Sequence, residues 1–273
     1  MPDQKEKAIA FRALHTRPGA FVIPNPWDAG TAKILTQLGF EALATTSAGL
    51  AFSLGRSDGA AGREETLANA KAIVQATHLP VAADLENGFG GAPEKAAETI
   101  RLAIGIGLAG GSIEDASGDS AKPIYDFNLA VERIAAVVEA VRAQDIPFVL
   151  AARAENFLHG RADLDDTIKR LQAFEKAGAD VLYAPGLPSL KAIKEVCSAV
   201  TRPVNVLAGA TFTLKQLEDA GVKRVSVGSA LCLSAFAAFA KSAHEIKDFG
   251  TFNFAKDAFP FGEINKLMKE EPR

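Results

Sequence analysis

The sequence predicts a single α/β domain of the (β/α)8-barrel class, a TIM barrel, spanning residues 1–273 with a C-terminal helical extension. Short apolar runs that end in small or acidic residues occur eight times, and a segment with helical periodicity follows each run. Several runs begin directly after a proline, where a helix cannot continue. A chain of 273 residues is also within the length that one barrel domain commonly reaches.

The eight predicted strands are short and almost continuously apolar, as expected for strands that are covered on both faces. They cover residues 21–24, 42–46, 81–84, 111–114, 148–153, 181–184, 204–208 and 225–228. The predicted helices cover residues 31–38, 64–76, 93–104, 129–143, 164–177, 190–200, 214–220, 231–247 and about 262–269. Glycine follows four of these helices and accepts the left-handed conformation that ends a helix, at Gly39, Gly107, Gly178 and Gly221.

Strict alternation of strand and helix predicts a parallel sheet, and eight units fit a closed barrel. A doubly wound open sheet is the alternative, because a sequence does not display closure directly. The Gly-x-Gly-x-x-Gly pattern typical of dinucleotide-binding open sheets does not occur at the first predicted helix, which favours the barrel.

Composition and charge exclude two kinds of partner. The chain is 48% hydrophobic and 23% charged, with a formal net charge of −3 and a pI near 5.9. This balance produces no field that would gather nucleic acid or an anionic membrane. The polar N-terminus lacks an apolar signal core, and no window approaches the roughly 18 apolar residues of a membrane span. We therefore expect a cytoplasmic protein.

The C-terminal extension, residues 249–273, is rich in phenylalanine. Five phenylalanines lie between residues 249 and 261, more than one barrel surface readily covers. We predict that this extension packs on a neighbouring subunit of a homodimer or homotetramer. Packing on its own barrel is the alternative.

Acidic side chains and one arginine cluster where three neighbouring strands are predicted to end, the place where barrels carry their active sites. These groups are Asp84, Glu86, Glu114, Asp115, Arg153 and Glu155. Period-two alternation predicts that Asp84 and Glu86 face the same side. Adjacent carboxylates need a compensating cation, and oxygen ligands favour Mg²⁺ or Mn²⁺. Pairing with Arg153, or capping of helices, is the alternative for each acid.

Six short motifs follow the predicted strands in a fixed order. They are Asn25-Pro26-Trp27-Asp28-Ala29, Ser47-Ala48-Gly49, Leu54-Gly55-Arg56-Ser57-Asp58, Asp84-Leu85-Glu86-Asn87-Gly88-Phe89-Gly90, Ile113-Glu114-Asp115 and Ala152-Arg153. Together, rather than singly, they resemble the isocitrate lyase and phosphoenolpyruvate mutase superfamily over nearly the whole chain. The resemblance implies a Mg²⁺-assisted site for a 2-oxo acid or an enolpyruvate-like substrate. It also implies a last helix that is exchanged between subunits.

The resemblance also implies roles for individual residues. Asp84 would bind the metal directly, Glu86 and Glu114 would reach it mainly through water, and Asp58 would face the same site. Asp58, Glu114 and Arg153 are the predicted catalytic residues, with Arg153 holding a carboxylate or the C2 oxygen of the substrate. The residues predicted to contact the substrate are Trp27, Ser47, Ala48, Gly49, Arg153 and Asn205.

The sequence departs from the family pattern in the loop after strand four. Family lyases carry a Lys-x-Cys-Gly-His-type loop whose cysteine serves as the acid, whereas residues 116–123 read Ala-Ser-Gly-Asp-Ser-Ala-Lys-Pro. Ala116 also replaces the lysine of the mutase-type loop, and Ala184-Pro185-Gly186 stands where members place a His or Glu. Cleavage of isocitrate or methylisocitrate by the usual route is therefore not expected.

The function predicted from these features is that of a Mg²⁺-dependent lyase or decarboxylase. Its substrate would be a small 2-oxo or 2-hydroxy (di)carboxylic acid that passes through a pyruvate enolate-like intermediate. One alternative is a carbon–phosphorus hydrolase or mutase. Others are a phosphate-binding barrel that uses Gly209 and Gly228-Ser229, and a non-catalytic relative that binds a metabolite.

Overall fold

The computed structural model describes residues 2–269 and shows a nearly closed (β/α)8 barrel. Its eight parallel strands are ordered β1-β8-β7-β6-β5-β4-β3-β2 within the described chain. Strand β1 pairs with β8, and the amide of Ala44 in β2 donates to the carbonyl of Pro24 after β1 at 3.0 Å. The two ends of the sheet therefore meet, which confirms the barrel and excludes the doubly wound alternative.

The strands and helices alternate as predicted. The strands are β1 (Phe21–Ile23), β2 (Leu43–Ala44), β3 (Val81–Asp84), β4 (Gly110–Glu114), β5 (Val149–Arg153), β6 (Val181–Tyr183), β7 (Val204–Leu207) and β8 (Arg224–Ser226). The helices are α1 (Gln4–Leu14), α2 (Ala29–Gln37), α3 (Ser47–Ser53), α4 (Arg63–Gln75), α5 (Pro93–Gly105), α6 (Phe127–Arg142), α7 (Leu164–Ala177), α8 (Leu190–Ala199), α9 (Leu214–Asp219), α10 (Ala230–Phe249) and α11 (Phe261–Lys269).

Two of these helices, α1 and α3, were missing from the sequence prediction. Helix α1 begins with a capping box, in which the Asp3 side chain accepts from the Glu6 amide while the Glu6 side chain accepts from the Asp3 amide. Helix α3 has only seven residues. Its N-cap is Thr46, whose side chain accepts from the Gly49 amide. Its run of small residues is equally typical of a turn, so periodicity alone does not identify it.

Period-two alternation along the strands separates two apolar cores. In β5, Leu150 and Ala152 face the helices and belong to the larger core. Val149 and Ala151 face the barrel interior and belong to a second, smaller core. Helix α1 closes the amino-terminal end of this interior with the ring of Phe11. A Cβ on Gly110 would lie only 2.7 Å from Cε1 of this ring. Glycine at this position therefore lets the aromatic ring enter the barrel.

The C-terminal segment leaves the barrel surface and then returns to it. Of the 20 residues of α10, Cys232 is the one that is buried within the described chain. Helix α11 contacts α2 of its own barrel, where the Lys33 ammonium donates to the Met268 carbonyl at 2.6 Å. Although α10 is long, no helix in residues 2–269 is both long and apolar enough to cross a membrane.

His15, at the end of α1, is buried and neutral. Its Nδ1 lies 2.8 Å from the Phe11 carbonyl and must donate to it, so Nε2 accepts from the Arg224 guanidinium at 3.4 Å. Burial, and then the positive charges of Arg224, Arg12 and Lys223, lower the pKa of His15 to about 3. The imidazole therefore stays uncharged over the pH range in which a free histidine gains a proton.

We expect this histidine to make the fold acid-sensitive. Below about pH 6.5 the unfolded chain binds a proton that the folded chain excludes. The free energy of unfolding therefore decreases by about 1.4 kcal/mol for each unit by which the pH is lowered. Urea unfolding at pH 7.5 and 5.0 should show a loss of stability that is about 2 kcal/mol smaller in His15→Gln than in the wild type. The exposed His244→Gln should behave like the wild type, and equal losses in all three proteins would contradict the assignment.

Candidate active site

Two adjoining cavities lie at the carboxyl ends of the strands. The outer cavity, of about 820 Å³, is lined by Glu86, Asn87, Glu114, Glu155 and His159 among others. The inner cavity, of about 180 Å³, enters the barrel and is lined by Thr45, Asp84, Ser112, Tyr183, Asn205, Arg224 and Ser226 among others. Both are also lined by Ser47, Asp58, Leu158 and Arg153. These four residues form the boundary between the cavities.

Arg153, the last residue of β5, contacts carboxylates from three successive strand ends. Its guanidinium lies 2.8 Å from Asp84, 3.1 Å from Glu114 and 2.8 Å from Glu155. The four side chains are between 3% and 19% exposed, so their charges are only weakly screened by water. Arg153 is therefore a cation that compensates these three acids. The sequence analysis had given pairing with Arg153 as the alternative for each acid.

The mutual dependence of these charges is visible in their pKa values. Burial alone would lower the pKa of Arg153, but Glu155, Glu114 and Asp84 raise it well above its usual value. The pKa of Glu114 is raised well above its usual value by burial, against the opposing effect of Arg153. Glu155, Asp84 and Glu86 raise it further. The cluster thus carries more negative charge than one guanidinium compensates.

Glu86 lies beyond the end of β3 but faces the side that was predicted. Strand β3 ends at Asp84, and Glu86 lies in the following loop with a φ of +48°. Asp84 lines the inner cavity and Glu86 the adjoining outer one, whereas Leu85 between them is buried in the larger core, so the two acids lie on one side as predicted. Burial, followed by the charges of Asp84 and Asp58, raises the pKa of Glu86 to about 7.

Arg133 of α6 holds the loop that carries Glu86. Its guanidinium donates to the carbonyls of Asn87, Gly90 and Gly91, the last two at 2.6 and 2.5 Å. The same group lies 4.4 Å from the centre of the Tyr125 ring, and the side chain is 1% exposed. These contacts stabilise a loop whose backbone is strained by positive φ values at non-glycine residues.

Asp115 does not contribute to the cavities, although the sequence grouped it with the acids there. It follows Glu114 and points the opposite way, toward the helix layer, where it meets Arg170 of α7 at 2.9 Å. It also accepts the amide of Glu155 at 2.8 Å. Burial raises the pKa of Asp115 to about 6 despite these partners. Its role is to support the segment after β5 from behind.

The first turn of α3 borders both cavities. The hydroxyl of Ser47 donates to Asp84 at 2.9 Å, and Ala48 lines the inner cavity. The amide of Gly49 is already engaged by Thr46, so it does not face a ligand. Trp27 lies behind Gly49. Its Cβ is 3.0 Å from the position that a Cβ on Gly49 would occupy. It is half-buried there and is not among the residues that line either cavity in the described chain.

Asp58 and Asn205 lie at opposite ends of the inner cavity. Asp58 is on the exposed loop after α3, and its pKa is raised by partial burial and then by the charge of Asp84. Asn205 of β7 is 1% exposed and donates to the Ser226 hydroxyl at 3.0 Å. The structure therefore brings together most of the site residues predicted from the sequence.

Three cavity residues were missed as site residues in the sequence analysis: Tyr183, Arg224 and Ser226. The Tyr183 ring lies 5.1 Å from the Arg153 guanidinium and supports it from one side. Arg224 and Ser226 are two residues apart in β8 and therefore share its inner face. Ser226, a polar residue between Val225 and Val227 in the predicted eighth strand, was the signal that could have pointed to this face.

The predicted metal ligands are not arranged as a metal cluster. Among residues 2–269, no group of three or more His, Cys, Asp or Glu side chains is already gathered around one point as the ligands of a bound metal ion would be. The reason is visible in the ion pairs, because the Arg153 guanidinium takes up the space between Asp84 and Glu114.

The alternative of a phosphate grip at the ends of β7 and β8 gains little support. The amides of Val227 and Gly228 both donate to the Asn25 side chain at 2.9 Å and so are already engaged. Gly209 lies in an exposed turn outside both cavities. The amides of Val227 and Gly228 are therefore occupied and Gly209 is elsewhere, although Ser229 does line the inner cavity.

Comparison with known proteins agrees with this geometry. The phosphoenolpyruvate phosphomutase family model matches residues 11–247. A solved structure from Burkholderia cenocepacia J2315, assigned as a lyase or mutase, is 56% identical, covers 98% of both chains and has a TM-score of 0.97. The 2-methylisocitrate lyase of Escherichia coli K12 is 31% identical over 87% of this chain and 82% of its own. The 2,3-dimethylmalate lyase of Eubacterium barkeri is 31% identical over 77% of this chain and 75% of its own.

Fold and site together define an α/β-barrel enzyme with an arginine-centred acidic active site. The chain belongs to the phosphoenolpyruvate mutase/isocitrate lyase superfamily, whose members include lyases and mutases. The family resemblance stated from the sequence motifs is therefore confirmed.

Loss of Arg153 should destabilise the fold as well as the site. Arg153→Gln leaves Asp84, Glu114 and Glu155 without their cation, and removing one partner of buried ion pairs typically costs about 3–5 kcal/mol. Urea unfolding at pH 7.5 measures this loss. Arg17→Gln breaks the exposed pair with Glu41 and should cost less than about 1 kcal/mol. Equal losses in the two variants would contradict the central role of Arg153.

Proposed function

We propose that this protein is a Mg²⁺-dependent lyase or decarboxylase that acts on a small 2-oxo or 2-hydroxy (di)carboxylic acid. The observation that carries the proposal is the position of Arg153, which borders both cavities and contacts Asp84, Glu114 and Glu155. The similarity to 2-methylisocitrate lyase and 2,3-dimethylmalate lyase supports the same reaction class.

The carboxylates where the two cavities meet suit a hard divalent cation such as Mg²⁺ or Mn²⁺. Glu86 Oε1 is buried and has no hydrogen-bond partner among the described residues. Such an oxygen is costly unless a donor or a cation meets it. Asp84, Glu86 and Glu114 are the residues that would hold the ion. When bound, the ion would polarise the carboxylate and keto oxygens of the substrate.

Arg153 would stabilise the negative charge that develops during the reaction. When a 2-oxo acid loses the carboxylate on C3 as CO2, the electron pair of the broken bond passes into an enolate and the charge accumulates on the C2 oxygen. A permanently ionised guanidinium beside that oxygen favours this transition state over the ground state. Ser47 and Ala48, which border the inner cavity, would orient the substrate carboxylate.

The loop after β4 contains no cysteine that could serve as the acid of the family lyases. Residues Ala116 and Ile124 form an antiparallel bridge, and the Ser117 amide donates to the Pro123 carbonyl at 3.0 Å. Decarboxylation of a 2-oxo acid releases CO2 and leaves an enolate that needs only a proton from solvent to give the keto acid, whereas cleavage of a 2-hydroxy acid also requires a base that removes the hydroxyl proton. The proposed reactions are therefore compatible with this loop.

We also propose that α10 packs on a second copy of the chain in a helix-exchanged homodimer or homotetramer. Phe239 and Phe249 are 75% and 77% exposed, and Phe236 and Leu233 add to the same helix. Exposed apolar area of this extent is typical of an interface between subunits. Helix α10 follows β8 in the sequence, which is the place of the eighth helix of a (β/α)8 barrel. This order supports an exchange of α10 between barrels.

The reaction class can be tested by pyruvate release coupled to lactate dehydrogenase. The panel is oxaloacetate, substituted malates, methylisocitrate and phosphonopyruvate, each with Mg²⁺ and with excess EDTA. We expect pyruvate from an oxo or hydroxy acid in the presence of Mg²⁺ and none with EDTA. Release from phosphonopyruvate alone would favour carbon–phosphorus chemistry, and no release from any panel member would overturn the proposal.

Asp84→Asn should lower turnover by roughly a hundredfold or more, because it removes the charge of the inner ligand while keeping its shape. Asp145→Asn makes the same change at an exposed position before β5 and should leave turnover unchanged. Thermal unfolding of both variants separates lost chemistry from lost structure. Full activity in Asp84→Asn would contradict the role given to Asp84.

The interface is tested by analytical ultracentrifugation of Phe239→Glu. We expect the wild type to sediment as a dimer or tetramer and the variant to shift toward monomer, because a buried charge opposes association. Ile9→Glu changes another exposed apolar residue, on α1, and should leave the assembly intact. A monomeric wild type would refute the proposal.

A further inference from the structure

A further cavity lies at the amino ends of the strands, on the face of the barrel opposite the active site. It has a volume of about 260 Å³ and is bounded by the start of β5, the residues before β6 and the carboxyl ends of α6 and α7. Three arginines from three separate segments line it, Arg12 of α1, Arg142 at the end of α6 and Arg202 in the loop before β7. We call this space the arginine cavity. The proposed reaction uses none of these residues.

One carboxylate faces the three guanidinium groups, and both of its oxygens are already engaged. Asp180 accepts from Arg12 through Oδ1 and from the Leu150 amide through Oδ2, each at 2.9 Å. Glu175 does not line the cavity and accepts two amides of the loop before β7. The carboxyl ends of α6 and α7 add about half a negative charge each. The arginine cavity therefore remains positive, although the whole chain has a net charge of −3.

Gly178, which ends α7, makes room for Arg142 in this cavity. A Cβ at this residue, whose φ is +112°, would lie 2.7 Å from Nη2 of Arg142 and 3.0 Å from Cγ1 of Val138. The guanidinium thus lies against a stretch of backbone that carries no side chain. Within residues 2–269, no hydrogen bond or ion pair engages the side chain of Arg142 or that of Arg202.

The lack of an acidic partner does not by itself indicate a binding site. The exposed Arg101 on α5 also has no acidic partner among residues 2–269. What distinguishes Arg142 and Arg202 is that they line one cavity together with a third arginine. Cations gathered in this way repel one another unless an anion compensates them. The alternative is that Arg142 only stabilises the carboxyl end of α6, as a basic residue in a last helical turn commonly does.

We infer that the arginine cavity binds a dianionic phosphoryl group, either free phosphate or the phosphoryl group of a small ester. A guanidinium presents a planar pair of donors that matches two phosphate oxygens. Three such groups on separate segments can meet a tetrahedral anion from different sides. Val138 and Val141 form an apolar part of the wall, against which the organic part of an ester would pack. This site is separate from the active site, so the inference goes beyond the proposed lyase activity and does not rest on it.

Calorimetry in EDTA at pH 8 and constant ionic strength tests the site with phenyl phosphate, inorganic phosphate and benzenesulfonate. Without a metal, the excess negative charge of the acidic cluster around Arg153 disfavours anions at the active site. Phenyl phosphate is a dianion at this pH, whereas benzenesulfonate has a similar shape and one charge less. We expect phenyl phosphate to bind about tenfold more tightly, or better, because both ionised oxygens find a charged donor. Equal binding of the two, or no binding of either phosphate, would overturn the inference.

The two phosphates distinguish the sources of the phosphoryl group. Inorganic phosphate that binds as tightly as phenyl phosphate would identify the free ion as the ligand. Tighter binding of phenyl phosphate would identify a phosphate ester, because only the ester has an organic part that can pack on the apolar wall.

Arg142→Gln and Arg202→Gln locate the bound phosphate. Each variant should weaken the binding of phenyl phosphate by about tenfold or more, because each removes a charged hydrogen-bond donor. Arg101→Gln makes the same change at an exposed position on α5 and should bind like the wild type. Wild-type affinity in either cavity variant would show that the phosphate binds elsewhere and would reject the site.

Thermal unfolding separates binding from a purely structural role of Arg142. A ligand that binds only the folded chain raises the melting temperature. We expect phenyl phosphate to raise the melting temperature of the wild type and of Arg101→Gln, and to leave that of Arg142→Gln nearly unchanged. If Arg142 only stabilises the end of α6, Arg142→Gln will melt at a lower temperature but show the same increase with phenyl phosphate as the wild type, which contradicts the inference.

Discussion

The guanidinium of Arg153 holds carboxylates from three successive strand ends within contact distance of one another, and the geometry of the active site depends on it. Like charges at this density would repel one another if water or protein did not compensate them. Because the cluster is largely buried, the compensation has to come from cations within the site, and β5 provides one of them in Arg153. The same side chain separates the outer from the inner cavity, so one interaction sets both the charge and the shape of the site.

Residues that never touch the cavities hold this arrangement from outside the barrel. Strand β4 contributes Glu114 to the interior and Asp115 to the helix layer, where Arg170 of α7 binds it. Arg133 of α6 fixes the strained loop of Glu86 through backbone carbonyls. Two neighbouring helices are therefore coupled to the acidic side chains through alternate positions of the strands. Packing of the outer layer and orientation of the site are parts of one network.

The sequence predicted the barrel well because eight short apolar runs and their helices are repeated local patterns. Four predicted helix-ending glycines do have positive φ, at Gly39, Gly107, Gly178 and Gly221. It failed where position depends on neighbours rather than on periodicity. The positive φ of Glu86 places this residue in a loop rather than in β3, and the outward direction of Asp115 follows from a partner on α7. Arg224 was overlooked because its place on the wall of the inner cavity is set by the packing of β8 against β7 and α1, which periodicity does not display.

The closure of the barrel floor by Phe11 and its neighbours on α1 has a kinetic consequence. A pocket with one opening binds and releases its ligands through the same mouth, so the molecule that enters first leaves last. If a bond breaks in a ligand that extends along this pocket, the fragment nearer the mouth must diffuse away before the deeper fragment does. The order of product release is then imposed by the direction of the barrel axis, independently of how tightly either fragment is bound.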